Sequence, residues 1–473
     1  MRINNFTFNS VKSQNKPRAI GSGGPINVRG LLLFFIFPLF SLYAQDDSGA
    51  AEAVRFNTVK YGTETEIATL IQTLKSEGAD YLDDEIIALV ENTNNPRILS
   101  GAFSFFGERE KGGLESRAIR AMEEQDNERN ETILAAIDYL GRVKAANALP
   151  VLRTMIENGE KRFVNTAIRA YGRISGSEGG NAQDAAEYLI GYFENNNPDD
   201  ESRREVVTAL GAAGSASAVE FLVGIASNSE ERVAMRIAAL EAIARIGDPG
   251  GLEAVLDCVS ASDPNIRSVA VTSLGPFSGK EVDDAILDAF RDSFYRTRIA
   301  AAQASRQRKL AAAVPYLKFR AERDEVPAVR EDSIRALGAI ADNESLNVLE
   351  SLFTGRKNSD RVRIAAGEMI MQIDSGKYLD RFVMELDEAR QKNQTALYNG
   401  FLKIIGGTKG PNMEAITRRL MQDRGVVERS YALDMAANNQ LKSLADEIKL
   451  LAGDRNEHLA AKAGRTLEKL SLQ

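Results

Sequence analysis

Apolar residues along most of this chain recur at the spacing of a helix face, not of a strand. With Arg267 as position zero, small or apolar side chains follow at +3, +4 and +7 (Ala270, Val271, Leu274), and Gly275 stands at +8. These offsets trace one face of a 3.6-residue helix. The pattern recurs from Leu99, Ile133, Val164, Arg203, Arg236, Arg298, Arg330, Arg363, Tyr398, Arg429 and about Ala460, at intervals of 31 to 39 residues. Each period holds a second amphipathic stretch, as in 148–158, 218–226, 251–260, 346–353 and 413–421. Asp, Asn, Ser, Gly and Pro bound these stretches, as at Asn197-Pro198 and Asp263-Pro264, and such residues start and stop helices. No run of alternating β-branched residues is present, so no sheet is expected.

A Leu-Gly step closes several of the first helices, at Leu140-Gly141, Leu210-Gly211, Leu274-Gly275 and Leu337-Gly338. A glycine there predicts a tight turn, with positive φ, and a close approach to the next helix. One helix pair carries too little apolar surface to offset the entropy of ordering it, so the pairs must stack on each other.

The first 44 residues break the pattern. Arg29 precedes an apolar core over 31–43, which ends at Ala44 before Gln45-Asp46-Asp47. This is the pattern of a secretory signal peptide cleaved near Ala44, and Pro38 interrupts a run already short for a membrane span. Residues 1–27 are long for a signal's charged part, so translation is expected to start near Val28 instead of Met1. No Cys follows the apolar run, which excludes a lipobox. Residues 45–60 read as a flexible mature N-terminus and 61–473 as the repeat array. The expected location is periplasmic or otherwise exported.

Composition narrows the function. Hydrophobic residues make up 44% and charged residues 27%, the balance of a folded domain. The leader holds five basic residues and no acid, so its removal takes the net charge from −8 to −13. A chain so acidic is a poor general binder of nucleic acid. His458 is the single histidine and Cys258 the single cysteine, which leaves no imidazole or thiolate metal site and no internal disulfide. Cys258, in Leu256-Asp257-Cys258-Val259, reads as a small core residue. No nucleophile elbow or P-loop is present, since Gly406-Gly-Thr-Lys-Gly-Pro-Asn412 lacks the P-loop ending. The acidic pairs Asp83-Asp84, Asp199-Asp200 and Asp283-Asp284 read as helix caps. The search yields no catalytic, cofactor-binding or metal residue, and the chain is read as a non-enzyme.

One stretch departs from the acidic background. Between Arg291 and Arg323 lie nine basic residues (Arg291, Arg296, Arg298, Arg306, Arg308, Lys309, Lys318, Arg320 and Arg323) against Asp292 and Glu322, a net charge of +7. It reads either as a solvated face or as a docking patch formed by Arg306, Arg308, Lys309, Lys318, Arg320 and Arg323. An acidic protein segment, an envelope polymer or a lipid head group would suit such a patch. Aromatic clusters at Phe103-Ser-Phe105-Phe106, Tyr188/Tyr192/Phe193, Phe290/Phe294/Tyr295 and Tyr316/Phe319 have the spacing of core residues, and those facing outward would be peptide-binding candidates.

Ile266-Arg267, Val329-Arg330 and Val362-Arg363, with the alanine-rich face, the Leu-Gly steps and Gly247-Asp248-Pro249, resemble the HEAT-repeat family. The likeness is to the short bacterial HEAT repeats also found in phycobilisome lyase-like proteins, and it covers about residues 85–473. It implies an all-α, right-handed α-solenoid of about twelve helix-pair repeats of HEAT or armadillo type. It also implies that Arg203, Arg236, Arg267, Arg298, Arg330, Arg363 and Arg429 form a structural ladder with the acids before them (Glu201, Glu231, Asp263, Asp292, Glu325, Asp360 and Asp423). A phosphate-binding stripe is the alternative for those arginines. The function implied is a scaffold or adaptor that binds protein partners, without cofactor. Alternatives are a phycobilisome lyase-like enzyme and a self-assembling envelope module.

Overall fold

The computed structural model describes residues 47–471 and divides the chain into two compact units, Met1–Val54 and Arg55–Gln473. The leader, its apolar core at 31–43, the cleavage point near Ala44 and the proposed start near Val28 lie outside the described residues. Helix Asp47–Tyr61 occupies most of the stretch expected to be flexible. Its later part is tied down: Val59 is buried, and Arg55 bonds Glu77 at 2.6 Å and the Tyr81 hydroxyl at 3.1 Å. Its Asp-Ser-Gly opening resembles a linker, but alanine-rich Ala50-Ala-Glu-Ala53 favours a helix. Among the described residues, no helix is long and apolar enough to cross a membrane.

Within the second unit, helix Glu64–Glu77 is followed by twelve helix pairs, from Asp83–Asn92 with Pro96–Glu108 through Ala445–Ala452 with Glu457–Lys469. No strand occurs among the described residues. The helices carrying the zero position stack on each other in one layer, and the intervening helices form the second layer. Local chemistry sets the boundaries. The Asp263 carboxylate accepts from the amides of Asn265 and Ile266 with Pro264 in the first turn, and Asp199, Asp342, Ser359 and Asn456 cap their helices in the same way. One pair lacks a connecting loop. Helix Asp360–Gln391 breaks at Asp374 alone (φ −153°, ψ 82°), whose carboxylate accepts from the Lys377 amide at 2.9 Å and starts the second segment.

Three of the four Leu-Gly glycines allow close approach and do not make the turn, whereas Gly275 lies in the turn just past helix Pro264–Ser273. Gly141, Gly211 and Gly338 lie inside their helices; left-handed backbone comes three residues later, at Lys144 (φ 58°), Gly214 (φ 73°) and Ala341 (φ 53°). A Cβ on Gly211 would stand 2.7 Å from the Ala242 Cα, and one on Gly172 would stand 2.6 Å from the Ala209 carbonyl oxygen. Backbone meets backbone there, so this layer is drawn tight while the intervening helices touch each other sparingly.

Buried apolar side chains form two clusters, one from Val59 to Ile286 with Ala304, the other from Ala289 to Leu470 with Val271. They meet at helix Tyr295–Arg308, whose buried face is Ala300, Ala301, Ala302 and Ala304 with Thr297, Arg298 and Ser305. The Thr297 and Ser305 hydroxyls are buried and have no hydrogen-bond partner among the described residues. Alanine methyls bury little area, and each orphan hydroxyl costs about 1–3 kcal/mol. Polar links cross this seam instead: Arg267 to Asp292 and Arg308 to Asp283, both at 2.7 Å.

Two outcomes are expected. Gly172→Ala should lower the melting temperature, at a cost of about 1–3 kcal/mol, whereas Gly464→Ala, in a helix with nothing within 4 Å of the added carbon, should raise it, with a gain in stability of about 0.5–1 kcal/mol. Amide hydrogen exchange read by mass spectrometry should be faster in helix Tyr295–Arg308 than in Val233–Ile246 or Pro327–Ile340 on either side.

Candidate docking surfaces

The ladder arginines sit at the starts of their helices, where the side chain reaches back to a turn and across to the next repeat. Arg267 donates to the Ala261 and Ser262 carbonyls at 3.0 and 3.1 Å and to both Asp292 oxygens at 2.7 and 2.9 Å. Arg298 repeats this on the Asp292 and Ser293 carbonyls and on Asp324. Arg363 bonds the Phe353 carbonyl at 2.9 Å and Glu385 at 2.7 Å, Arg203 reaches Glu231 at 3.0 Å, and Arg429 reaches Asp454. Where no acid is met, the turn bond remains: Arg236 donates to the Ala226 carbonyl at 2.8 Å, and Arg330 to the Asp324 carbonyl. A planar guanidinium with five donors can serve both duties at once, which a lysine cannot.

The acids differ from the expected set. Glu231 and Asp292 take part, but Asp324 replaces Glu325, Asp263 is spent capping its own helix, and Asp423 pairs with Arg390 at 3.0 Å. Among the described residues no ion pair involves Glu201 or Asp360. Spacing alone cannot separate Asp324 from Glu325; burial does, since Asp324 is 2% exposed while Glu325 faces solvent. Burial pushes the Asp324 carboxyl up, but the Arg298 guanidinium and the Val326 amide outweigh it and hold it below the ordinary carboxylate range. Removing Asp324 would leave the buried Arg298 guanidinium without its carboxylate, a loss of about 3–5 kcal/mol, whereas removing Arg298 would leave Asp324 still bonded to Arg320 at 3.2 Å.

The three acidic pairs also separate. Asp199 caps its helix through the Ser202 amide at 2.9 Å. Asp83 is buried against Arg109 and Lys111, both at 2.6 Å, and Asp283 holds Arg308. The residue-by-residue sequence gives no sign of these partners, because they lie 25 to 28 residues away.

The basic stretch is not one patch. Arg308 is consumed by Asp283 and the Phe277 carbonyl, and Arg320 by Asp324 and the Phe290 carbonyl. Arg306 is exposed on the arginine-bearing helix Tyr295–Arg308 and Lys309 ends it, whereas Lys318 and Arg323 are exposed on the intervening helix Val314–Arg323. Among the described residues none of these four exposed side chains enters an ion pair. The six expected patch residues therefore divide between two layers, and two of them are structural.

On the intervening layer the stretch builds a groove of about 290 Å³ lined by Phe290, Arg291, Pro315, Tyr316, Phe319 and Arg320. Buried Phe290 stacks on Tyr316, with ring centroids 5.7 Å apart. Arg291 lies over the Tyr316 ring at 5.3 Å and donates to its hydroxyl at 3.3 Å. Arg320 lies over Phe319 at 5.4 Å, and burial pushes its guanidinium below the usual arginine range, with Arg298 adding to the effect. Phe319 itself is 55% exposed. The other aromatic clusters turn inward: Phe103, Phe105 and Phe106 are buried, Tyr188 packs on Tyr171, and Phe193 packs on Phe221.

A second cleft, of about 510 Å³, separates Asp360–Gln391 from Thr395–Gly407 on the arginine-bearing layer. Ile364, Met371 and Ile404 line it, with Glu368, Lys403 and Lys409 among its polar residues. The sequence had no signal for it beyond the glycines Gly400 and Gly407. Cys258 is buried, 3.7 Å from the Ala226 carbonyl, where burial pushes the thiol up. His458 belongs to the final arginine-layer helix, Glu457–Lys469.

A family model described as spirochaete HEAT repeat protein matches residues 59–466. A comparison with curated proteins finds no match. Solved structures similar to the chain include Kap121p, at 12% identity and a TM-score of 0.43 over 90% of this chain and 52% of that one. The Kap95p complex with RanGDP is matched at 11% identity and 0.39, over 90% and 72%. Human deoxyhypusine hydroxylase in complex with glycerol is matched at 18% and 0.25, over 57% and 98%. The chain spans about half the length of Kap121p.

The ladder gives a pH signature. The Arg267 guanidinium holds the Asp292 carboxyl below its ordinary value. The stability from this pair is therefore fully present above the unfolded value of about 3.9 and is lost as pH falls through the lower folded value. Asp292→Asn should be less stable than the parent at neutral pH and should flatten the loss of stability between about pH 5 and 2, read by urea denaturation at each pH.

Proposed function

The chain belongs to the spirochaete HEAT repeat proteins, and on that footing we propose that it is an exported, non-enzymatic scaffold that holds protein partners on the surface of its helix layers. The observation that carries this reading is the aromatic groove at Phe319, a large apolar ring left 55% exposed beside Arg291 and Arg320, whereas Phe103, Phe105 and Phe106 are buried. Such anchors are the usual centres of binding energy at protein interfaces. Export rests on the leader, with its apolar core at 31–43 and a cleavage point near Ala44.

Cross-linking in intact native cells, followed by fractionation and mass spectrometry, tests both parts. We expect the mature chain in the envelope fraction, beginning after Ala44, joined to a specific protein. Retention of residues 1–44 on a cytoplasmic chain would end the export reading, and recovery without any cross-linked protein would end the scaffold reading.

A further inference from the structure

We propose that the Phe290–Tyr316–Phe319 groove binds an extended acidic protein segment that carries one aromatic or leucine-sized anchor. This rests on the scaffold reading and names the partner's chemistry. The groove has a firm floor, because Phe290 is buried and stacked on Tyr316. Phe319 forms an exposed wall, and the Arg320 guanidinium is locked in place by Asp324 and the Phe290 carbonyl. A side chain entering between them would cover Phe319 and meet a flat cationic edge, so an apolar ring gains burial and stacking together.

The charge around the groove selects the rest of the segment. Lys318 and Arg323 are exposed without an ion pair among the described residues, and Arg291, which also bonds the Tyr316 hydroxyl, has an exposed ion pair with Asp288 (side chains 65% and 75% exposed). An exposed pair of this kind contributes little, so an incoming carboxylate can replace Asp288 at small cost. Asp288 pairs with Arg291, and among the described residues neither Glu322 nor Glu325 enters an ion pair with Lys318 or Arg323. A basic or neutral segment would gain only the apolar contact. A polysaccharide or a bare phosphate would gain only the charge and would leave Phe319 wet.

The test uses the full mature chain and a displayed library of random ten-residue peptides. Enriched peptides should combine several Asp or Glu with one Phe, Trp, Tyr or Leu. The best of them, made synthetically, should lose about tenfold in affinity on Phe319→Ser and again on Lys318→Glu with Arg323→Glu. The melting temperature should be unchanged, since all three side chains are exposed. Its affinity should also fall with added salt. Enrichment of basic peptides, enrichment unaffected by Phe319→Ser, or no enrichment would each overturn the proposal. So would a concentration-dependent dimer, or capture of anionic phospholipid vesicles, abolished by Phe319→Ser, because each gives the groove another occupant. Cross-linking to a partner through other surfaces would survive those results, so failure here leaves the scaffold reading standing.

Discussion

Each helix pair presents an apolar face that only the next pair can cover, and the whole array depends on that contact. The arginine-bearing helices meet through glycine and alanine, with backbone against backbone at Gly172–Ala209 and Gly211–Ala242. Contact this close leaves no slack in register, because a single methyl would collide with main chain. The intervening helices pack more loosely, which is why grooves with exposed aromatic walls can open between them.

Register along the stack is set by the arginine fork. Its commoner duty is to carbonyls just before its own helix, at the end of the preceding helix or in the turn between, and Arg236, Arg267, Arg298, Arg330, Arg363 and Arg429 each make such a bond. Its second duty, to the acid of the next repeat, is met by Arg203, Arg267, Arg298, Arg363 and Arg429 and dropped by Arg236 and Arg330. The recurrence of arginine where the acid is absent is thereby explained: the turn needs it even when the neighbour does not. At the N-terminal end Leu99, Ile133 and Val164 take the position as buried apolar residues, and Asp83 is paired with Arg109 and Lys111 at the end of its own helix pair.

Helix Tyr295–Arg308 concentrates the exceptions. It lacks the Leu-Gly step, buries alanine in place of larger side chains, and leaves two hydroxyls without partners where the two apolar clusters meet. The same stretch supplies the cations that cross the seam and those that surround the groove. Low apolar adhesion and high local charge are linked here, because arginines that replace apolar contact must be paired internally or remain available to a partner.

The sequence by itself determined the helices, their pairing and the stacked architecture, because a 3.6-residue apolar period repeated every 31 to 39 residues has no other compact solution. It also marked which arginines recur. It could not determine their partners, since the choice of Asp324 over Glu325 turns on burial set by the neighbouring repeat. It placed the Leu-Gly glycines in turns, which holds for Gly275, whereas Gly141, Gly211 and Gly338 lie inside helices as points of approach. It merged nine cations into one region; only the folding of adjacent helices into different layers separated structural Arg308 and Arg320 from exposed Arg306, Lys309, Lys318 and Arg323. Periodicity fixes which residues share a helix face, but which of those faces is covered, and by what charge, is decided by residues some thirty positions away.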